Sequence, residues 1–544
     1  MSIEYRQRWR GRARFVIFDS GGDPHASTRA FQAWRADPER PARLHYIVLS
    51  DGPLAGYRRV PQADARTTLD LLNMAPQAAL AQLEALIDHA ILDGARLPGD
   101  ACARALARCA APGTSISSKA LGPAQQAALA ACGFRFDGAN AVYDSRKPAR
   151  VRSGQAERRA LVIGAGLAGA AACERLCARG WQVTLVERHA APAQEASGNL
   201  AGIFMPLVSI DDNLPTRLTR AAYLYALDYF ELLGGIGAAI EGGACGVMQL
   251  ARDARHGAVQ QRIARAHGLP PGYAEWFDGA AAAAMLGAPA PDGAWLFRQG
   301  GWARPGSVVA AMLGACGARL ERRFGVGSVA LRRAGRSWQA LDAAGALVAE
   351  APVAVLAGGA AAASFEQART LPLQALRGQV THLGAGSVPA LPFVLCREAY
   401  LTPAAHGLWC AGASYDADPD PSLREDSQRE NLAKLAALLG AAPLAQAPLA
   451  GRVGFRSVAP DRLPLVGALP DAAAAGSGPL RALARHPGLY GLLGLASRGL
   501  IWAPLAAELL AARLDGEPLP LEAQLAAALD PARFVLRARR APRQ

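Results

Sequence analysis

The stretch ALVIGAGLAG, residues 160–169, decides the fold of this chain, because an apolar strand runs directly into three glycines at G-x-G-x-x-G spacing. A helical run and a second apolar strand follow, and that strand ends at Glu187. In such a unit Gly164 permits the tight turn, Gly166 lets the backbone approach a pyrophosphate, and Gly169 lets the helix lie close to the sheet. The helix N-terminus attracts phosphate, and Glu187 lies where a carboxylate accepts hydrogen bonds from a ribose. The pattern predicts a dinucleotide site, against the alternative of an ordinary glycine turn.

The composition describes a chain of several domains with ample material for buried cores. Its 544 residues suggest two to four domains, and 51% of them are hydrophobic. Lys and Arg number 58 against 45 Asp and Glu, which gives a formal net charge of +13. This excess is compatible with a polyanionic partner. It is mostly arginine, so charge alone leaves a nucleic-acid partner open without establishing one.

The cysteines and the N-terminus bear on the compartment. The nine cysteines are scattered without Cys-x-x-Cys pairs or metal-ligand spacing, which predicts reduced thiols, a reducing compartment and no metal site. The N-terminus has no apolar signal core, and no run of eighteen apolar residues occurs in the chain. The sequence therefore predicts a cytoplasmic protein that does not span a membrane.

Residues 1 to about 150 form a segment of domain size ahead of the glycine motif. Residues 15–19 and 43–49 have the pattern of buried strands, residues 78–87 that of a helix, and residues 89–93 that of a further strand. Strands alternating with helices predict an α/β sheet.

Further along the chain, three stretches bear on the domain organisation. The basic stretch 144–154 carries proline and glycine without an apolar period, which predicts a solvated linker. Residues 196–202, rich in small side chains, follow the second strand of the glycine unit, with a plain loop as the alternative to a cofactor contact. Residues 494–499 form a second glycine loop, which opens an apolar helix over about 501–514. Both loops could turn backbone N–H groups towards a cofactor.

Taken together and in this order, these pieces resemble the D-amino-acid oxidase and glycine oxidase group of flavoproteins, and more closely the MnmC family of tRNA-modifying enzymes. The resemblance covers residues 156–535. It is carried by residues 164–169, Glu187, Ser197-Gly198-Asn199, Gly301-Trp302, Arg377-Gly378-Gln379, Arg456, residues 461–467 and Ser497-Arg498-Gly499-Leu500.

This resemblance implies an α/β fold in which a Rossmann-type FAD-binding domain is joined to a mixed α+β substrate domain. The FAD-binding parts are expected at about residues 156–205, 350–380 and 450–515. The substrate parts are expected at about residues 205–350 and 380–450.

The resemblance also implies an activity. FAD would take a hydride from the carbon beside a secondary amine, and water would hydrolyse the imine. The reaction would remove the carboxymethyl group from carboxymethylaminomethyl-uridine at the tRNA wobble position, leaving aminomethyl-uridine.

A carboxylate on the substrate calls for a planar, bidentate cation, which is arginine chemistry. By its position in the motif, Arg456 is the first candidate and Arg397 the second, with a structural arginine as the alternative for Arg456. The cofactor-binding residues implied are Gly164, Gly166, Gly169, Glu187, Ser197, Gly198, Asn199, Gly467, Ser497, Arg498, Gly499 and Leu500.

The MnmC family also carries an N-terminal methyltransferase, and residues 1–150 resemble a small, degenerate version of it. Asp19-Ser20-Gly21 resembles the start of its S-adenosylmethionine loop, and Asp93 resembles its catalytic aspartate. Asp23-Pro24 stands where the family repeats glycines, and Ser50 stands where the family has an acid for the donor's ribose. We therefore expect that S-adenosylmethionine is not bound and that the segment does not methylate.

Three functions are compatible with these observations. The leading one is a tRNA-modifying FAD oxidoreductase with a degenerate first domain. The second is a D-amino-acid or glycine-type oxidase that acts on a small amine and carries the N-terminal segment as an appendage. The third is a non-catalytic flavoprotein that binds tRNA. The N-terminal segment and the basic charge favour the first.

Overall fold

The computed structural model describes residues 7–97, 99–145, 154–384, 386–441, 449–474 and 478–540. The chain divides into two compact units. The N-terminal unit comprises Met1–Ala156 with the return segment Glu508–Ala527, and the second unit comprises Glu157–Ala507 with Ala528–Gln544. Of the predicted linker 144–154, residues 146–153 lie outside the described residues. The predicted boundaries at 1–150 and 156–535 thus differ from the observed ones by the return segment.

The N-terminal unit is built on an eight-stranded sheet with the order β3-β4-β2-β1-β5-β6-β8-β7. The five strands β4, β2, β1, β5 and β6 are parallel to one another, and antiparallel strands flank them at both edges of the sheet. Its elements are β1 (Arg14–Asp19), α1 (Ala26–Ala36), β2 (Arg43–Leu49), β3 (Gly56–Pro61), β4 (Thr67–Asn73), α2 (Pro76–Gln82), β5 (Ile87–Asp93), α3 (Gly99–Arg108), β6 (Ala110–Lys119), α4 (Pro123–Ala131), β7 (Phe134–Asp137) and β8 (Asn140–Tyr143).

One predicted element of this unit differs from the structure. The helix expected over residues 78–87 ends at Gln82, because Leu83 takes an extended conformation as its C-cap. Ile87 already belongs to β5, where it is buried beside Ala110 of β6. The apolar residues from Ile87 onwards belong to the central strand β5, whose hydrogen bonding in the parallel sheet outweighs the helical propensity of alanine and leucine.

The return segment enters the N-terminal unit with carboxylates that pair with buried arginines. Arg59 forms two hydrogen bonds to Asp70 at 2.7 Å each, and it donates a third at 2.8 Å to Glu508. Arg43 Nε lies 2.6 Å from Glu517 Oε1 in a second ion pair. Arg59, Asp70 and Glu508 are all almost fully shielded from water, so each charge depends on the others for compensation.

The second unit begins with the predicted glycine unit. Strand β9 (Arg159–Ile163), helix α5 (Leu167–Cys177) and strand β10 (Gln182–Glu187) form a parallel βαβ unit. They belong to a six-stranded sheet. Its strand order is β17 (Leu320–Phe324), β10, β9, β21 (Val353–Leu356), β28 (Arg485–Leu493) and β27 (Leu465–Pro470). Only β27 and β28 pair in antiparallel fashion. The expected Rossmann-type layer is therefore present.

An eight-stranded sheet forms the mixed part of this unit. Its strand order is β14 (Glu275–Phe277), β15 (Ala294–Phe297), β13 (Val247–Leu250), β23 (Val394–Cys396), β24 (Tyr400–Leu401), β25 (Trp409–Gly412), β22 (Gln374–Leu383) and β26 (Ala450–Val458). Strand β22 pairs along nine residues with β26, and this pairing sets Leu376 opposite Arg456. The start of β22 and all of β26, which fall in the stretches 350–380 and 450–515 expected for the FAD-binding part, belong to this second sheet, and residues of both strands line the cavity described below. Conversely β17, expected in the substrate part, is an edge strand of the six-stranded sheet.

Two three-stranded sheets, β11-β16-β12 and β18-β19-β20, complete the second unit. Among the described residues, no helix is both long enough and apolar enough to cross a membrane. The remaining elements are β11 (Gly202–Phe204), α6 (Leu214–Leu232), β12 (Gly242–Gly243), β13 (Val247–Leu250), α7 (Ala254–His267), β14 (Glu275–Phe277), α8 (Gly279–Leu286), β15 (Ala294–Phe297), β16 (Gly301–Ala303), α9 (Pro305–Ala315), β17 (Leu320–Phe324), β18 (Ala330–Ala334), β19 (Ser337–Leu341), β20 (Leu347–Ala351), β21 (Val353–Leu356), β22 (Gln374–Leu383), β23 (Val394–Cys396), β24 (Tyr400–Leu401), β25 (Trp409–Gly412), α10 (Glu425–Leu439), β26 (Ala450–Val458), β27 (Leu465–Pro470), β28 (Arg485–Leu493), α11 (Gly499–Asp515), α12 (Ala523–Ala528) and α13 (Arg533–Arg540).

Candidate cofactor and substrate site

The glycine turn between β9 and α5 is packed so closely that side chains are excluded. Gly164 has a φ of +105°, and a Cβ there would lie 2.8 Å from the carbonyl oxygen of Ala357. A Cβ on Gly169 would overlap the carbonyl oxygen of Gly164. The first and last glycines therefore let the turn, the helix and the strand β21 approach one another.

Two side chains order the N–H groups of this turn. The Glu187 carboxylate accepts a hydrogen bond from Ala165 N at 2.7 Å and another from His189 N at 3.0 Å. The Ser197 hydroxyl accepts from Leu167 N at 3.1 Å, which satisfies one N–H of the first turn of α5. Glu187 is buried, so one carboxylate both closes the glycine turn and lies in the cavity wall described next.

A cavity of about 920 Å³ opens beside this turn. That volume is at the upper end of the range of about 300–1,000 Å³ that small-molecule and cofactor sites occupy. Of the predicted residues, its wall contains Gly164, Gly166, Glu187, Ser197, Asn199, Arg397, Arg456, Ser497, Arg498, Gly499 and Leu500.

Three predicted cofactor residues are not in this wall. Gly169 lies one turn into α5, where it serves the close packing already described. Gly198 faces Arg452, whose guanidinium donates to Asn199 Oδ1 at 3.1 Å and to Glu195 O at 2.7 Å, and so holds this loop. Gly467 lies within β27, opposite Gly491 of β28.

The second glycine loop lies against the first. A Cβ on Gly499, the first residue of α11, would lie 3.0 Å from the Cδ1 atom of Leu167. The N-termini of α5 and α11 therefore converge on one cavity, and each offers N–H groups and partial positive charge to an anionic ligand.

Arg498 sits just before α11, partly buried in the cavity wall. It donates to Met205 O at 3.3 Å, and no carboxylate forms an ion pair with it among the described residues. Burial lowers its pKa below the usual value for arginine. A positive charge in this position favours an anionic ligand in the cavity.

Arg456, on β26, is a second partly buried arginine of the wall. Its guanidinium donates to the carbonyl oxygens of Ser414 at 3.2 Å and Arg377 at 3.4 Å, and it lies 5.1 Å from the ring centre of Tyr415. Burial lowers its pKa, while Tyr400, Tyr415 and Asp416 act in the opposite direction. Within the described part of the chain it has no ion-pair partner, so its charge is available to a ligand.

The motif Arg377-Gly378-Gln379 makes room for Arg456 and holds the loop beside it. A side chain at Gly378 would overlap the Arg456 guanidinium. Arg377 is fully buried and donates to Ser422 O at 2.6 Å and to Asp420 O at 2.9 Å. The motif is therefore a support for the loop over residues 414–422, which the sequence did not indicate.

Two further matched stretches are structural. Asp461 forms a two-pronged pair with Arg533 at 2.9 Å for both hydrogen bonds, and this pair fastens α13. Gly301 and Trp302 lie in β16, between β11 and β12.

At the carboxyl ends of the strands of the N-terminal unit, an arginine side chain lies across the region where the family resemblance places the S-adenosylmethionine loop. Arg96, three residues after Asp93, donates to both carboxylate oxygens of Asp51 at 2.7 Å and to Gly21 O at 3.3 Å. The Asp19 carboxylate accepts hydrogen bonds from the Tyr46 hydroxyl and from Gly21 N, and burial raises its pKa. Asp93 Oδ1 accepts from Ala95 N at 3.0 Å.

Comparison with known proteins agrees with this geometry. The family model described as DAO, FAD dependent oxidoreductase, matches residues 159–513. Glycine oxidase from Geobacillus kaustophilus has the same fold, with a TM-score of 0.58 at 21% identity over 69% of this chain and 99% of that one. Iminodiacetate oxidase from Chelativorans sp. BNC1 gives a TM-score of 0.53 at 24% identity over 66% of this chain and 96% of that one. The fold and the cavity thus define an FAD-dependent oxidoreductase.

Two curated relatives extend the likeness over nearly the whole chain. The tRNA 5-methylaminomethyl-2-thiouridine biosynthesis bifunctional protein MnmC of Azoarcus sp. (strain BH72) is 42% identical over 98% of this chain and 91% of its own length. The protein of the same name from Aromatoleum aromaticum is 40% identical, over 97% and 91%. The chain belongs to the MnmC family. The resemblance and the fold class inferred from the sequence are confirmed.

The residues of the cavity fit FAD. The glycine turn leaves no side chain where a pyrophosphate must approach, two helix N-termini face the same space, and Glu187 is in the wall. FAD is the cofactor of the matched family, and these residues of the chain would hold it.

Proposed function

We propose that this chain removes the carboxymethyl group from carboxymethylaminomethyl-uridine at the wobble position of tRNA, leaving aminomethyl-uridine. The names of the relatives, which place them in tRNA 5-methylaminomethyl-2-thiouridine biosynthesis, support a wobble-uridine substrate. The observation that carries the proposal is Arg456, a partly buried cation in the cavity wall without a carboxylate partner among the described residues.

The residues of the chain divide the work between binding and orientation. FAD, when bound, supplies the hydride acceptor for oxidation of the carbon beside the substrate's secondary amine. The Arg456 fork would hold the substrate carboxylate through two parallel hydrogen bonds, which fixes the direction of the arm as well as its position. The carbonyl oxygens of Arg377 and Ser414 keep the fork oriented before substrate arrives.

A direct test uses the purified holoenzyme under anaerobic conditions. Addition of tRNA that carries carboxymethylaminomethyl-uridine should bleach the flavin absorbance, and mass analysis should show aminomethyl-uridine at the wobble position. The same tRNA with unmodified uridine is the control. Bleaching by glycine or sarcosine but not by the modified tRNA would favour the small-amine oxidase, and no bleaching by either would favour a non-catalytic flavoprotein.

We also propose that the N-terminal unit does not methylate. Arg96 spans from Gly21 to Asp51 across the strand ends. Ser50 cannot offer a ribose the two acceptor oxygens of a carboxylate. Pro24 lacks an N–H for the loop, and Asp23 adds negative charge there. These residues do not fit S-adenosylmethionine, and Asp93 would then have no donor to act with.

A cytoplasmic location is part of the same proposal. All nine cysteines are described, and none forms a disulfide, which suits a reducing compartment. The tRNA substrate requires the same compartment.

A further inference from the structure

Tyr415 differs from the other aromatic side chains of the cavity wall by its exposure. The described wall contains Phe365, Tyr400, Tyr415 and Phe455. Of these four, Tyr415 alone is an exposed side chain, with 47% of its surface accessible. An aromatic ring that is open to water at the edge of a cavity has a flat face to offer to a ligand.

We propose that Tyr415 is the stacking surface for the wobble base, and that it positions the uridine while Arg456 holds the carboxylate of its side chain. The inference rests on the proposed function, because it takes a uridine with a carboxylated arm as the substrate. It adds a subsite for the base that the carboxylate chemistry alone does not define.

Stacking on aromatic side chains is how proteins commonly hold unpaired bases of RNA loops. Each stacked base raises the binding affinity on the order of tenfold or more, whichever of the bases it is. A tyrosine suits this use because it has only two rotatable side-chain bonds to immobilise. A wobble base belongs to a single-stranded loop, so its face can reach such a ring.

The dimensions agree with the arm of the substrate. Arg456 covers one face of the Tyr415 ring at 5.1 Å, which leaves the other face for the base. From the base to its carboxylate, the arm has four bonds of about 1.5 Å, so it extends about 5 Å. A guanidinium–carboxylate pair spans a further ~3 Å. The ring lies between the two faces, so the arm must pass its edge, which a total reach of about 8 Å permits when the base and the guanidinium both lie towards the same edge.

The loop that carries Tyr415 is held in place before any ligand arrives. Asp416 and Arg377 exchange two backbone hydrogen bonds, at 2.8 and 3.0 Å. The Ser414 hydroxyl accepts from Gln379 N at 3.1 Å and donates to the Asp416 carboxylate at 2.9 Å. A ring flanked by anchored residues on both sides meets a base with little loss of conformational freedom.

The competing explanation is that Tyr415 merely supports Arg456. Three fluorescein-labelled anticodon stem-loops separate the two roles when their binding to the holoenzyme is measured by anisotropy. One carries carboxymethylaminomethyl-uridine at the wobble position, the second plain uridine, and the third no base. If Tyr415 only supports Arg456, replacing Tyr415 weakens binding of the first stem-loop alone. If Tyr415 stacks on the base, replacing it also weakens binding of the second stem-loop but not of the third.

We expect Tyr415→Ala to weaken binding of the first two stem-loops on the order of tenfold and to leave the abasic loop unchanged. Tyr415→Phe should retain binding within about twofold, since the ring face is kept. Leu347→Ala is the matched control, because Leu347 is also exposed but is not in the cavity wall.

Equal loss for the abasic and plain-uridine loops, or loss confined to the carboxylated loop, would overturn the stacking role. Failure of the proposed function has a different signature, because the modified stem-loop would then not bleach the flavin of the wild-type holoenzyme. If the flavin is bleached and Tyr415→Ala binds all three loops like the wild type, only the stacking inference fails.

Discussion

In the proposed function, Arg456 is the residue that holds the substrate carboxylate. Replacing it with alanine should leave flavin bound and raise the KM for modified tRNA, because loss of a charge-assisted pair costs about 1.5–3 kcal/mol, roughly tenfold to a hundredfold. Arg456→Lys should recover only part of this, because an ammonium cannot replace the two-pronged fork. Steady-state kinetics checks both, with Arg481→Ala, outside the wall, as control. Unchanged kinetics in Arg456→Ala would transfer the carboxylate to another residue, with Arg397 next.

His89 predicts an acid-dependent loss of stability in the N-terminal unit. Its ring is buried beside Arg8, and burial followed by that positive charge lowers its pKa to about 3. In the unfolded chain the pKa is about 6.5. The unfolded state thus binds a proton that the folded state refuses, so this contribution is complete above about pH 6.5 and is lost as the pH falls towards 3.

Hydrogen exchange of β5 peptides at pH 5 and 7.5 measures this effect. His89→Gln can still accept from Arg8 but has no proton to bind, so the pH dependence of protection should become weaker than in the wild type. His25→Gln, at an exposed position, should change nothing. The same pH dependence in His89→Gln and wild type would assign the acid sensitivity to other groups.

At the scale of elements, the glycine turn between β9 and α5 carries the cofactor prediction. A Cβ on Gly166 would lie 3.0 Å from the Ser197 hydroxyl, and the methyl groups of valine would extend further into the space that a pyrophosphate needs. We expect Gly166→Val to fold but to be purified colourless. Gly314→Val is the matched control, because nothing lies within 4 Å of a Cβ there. A yellow Gly166→Val protein with normal flavin content would show that the site is placed wrongly.

The elements also show what the sequence could predict. The βαβ unit was readable because its glycines, apolar strands and Glu187 all lie within one short stretch of chain. The helix expected at 78–87 was not, because Ile87 joins β5 through partners near residue 110. Likewise, the pairing of β22 with β26 joins residues almost eighty positions apart. Local patterns carry no information about such partners.

The cofactor and substrate site shows the same contrast between residues that a local pattern indicates and residues that only the fold brings together. Arg456 and Ser197 could be chosen from motif position, whereas Tyr415 stands in Ser-Tyr-Asp-Ala-Asp-Pro, a stretch with the composition of an ordinary turn. Only the fold brings its ring over Arg456. Gly467 illustrates the converse case, since a glycine chosen by motif lies in a strand instead of the cavity wall.

At the scale of the molecule, we predict that the full-length holoenzyme binds no S-adenosylmethionine. Isothermal titration calorimetry should give no heat of binding at micromolar donor, and aminomethyl-uridine tRNA should gain no methyl group. Arg96→Ala should not restore binding, because Ser50 and Asp23-Pro24 stay in place. Micromolar binding by the wild type, or methyl transfer, would refute the degenerate interpretation.

The return segment Glu508–Ala527 bears on whether the N-terminal half could be lost in evolution. Helix α11 starts at the flavin cavity and ends within this segment. A deletion of the first 150 codons would remove Arg43 and Arg59, the arginines that pair with Glu517 and Glu508. It would also leave the apolar side chains of the segment open to solvent and to aggregation. Natural selection for the oxidative step alone would therefore keep the N-terminal half, so its inheritance is no evidence of a second catalytic activity.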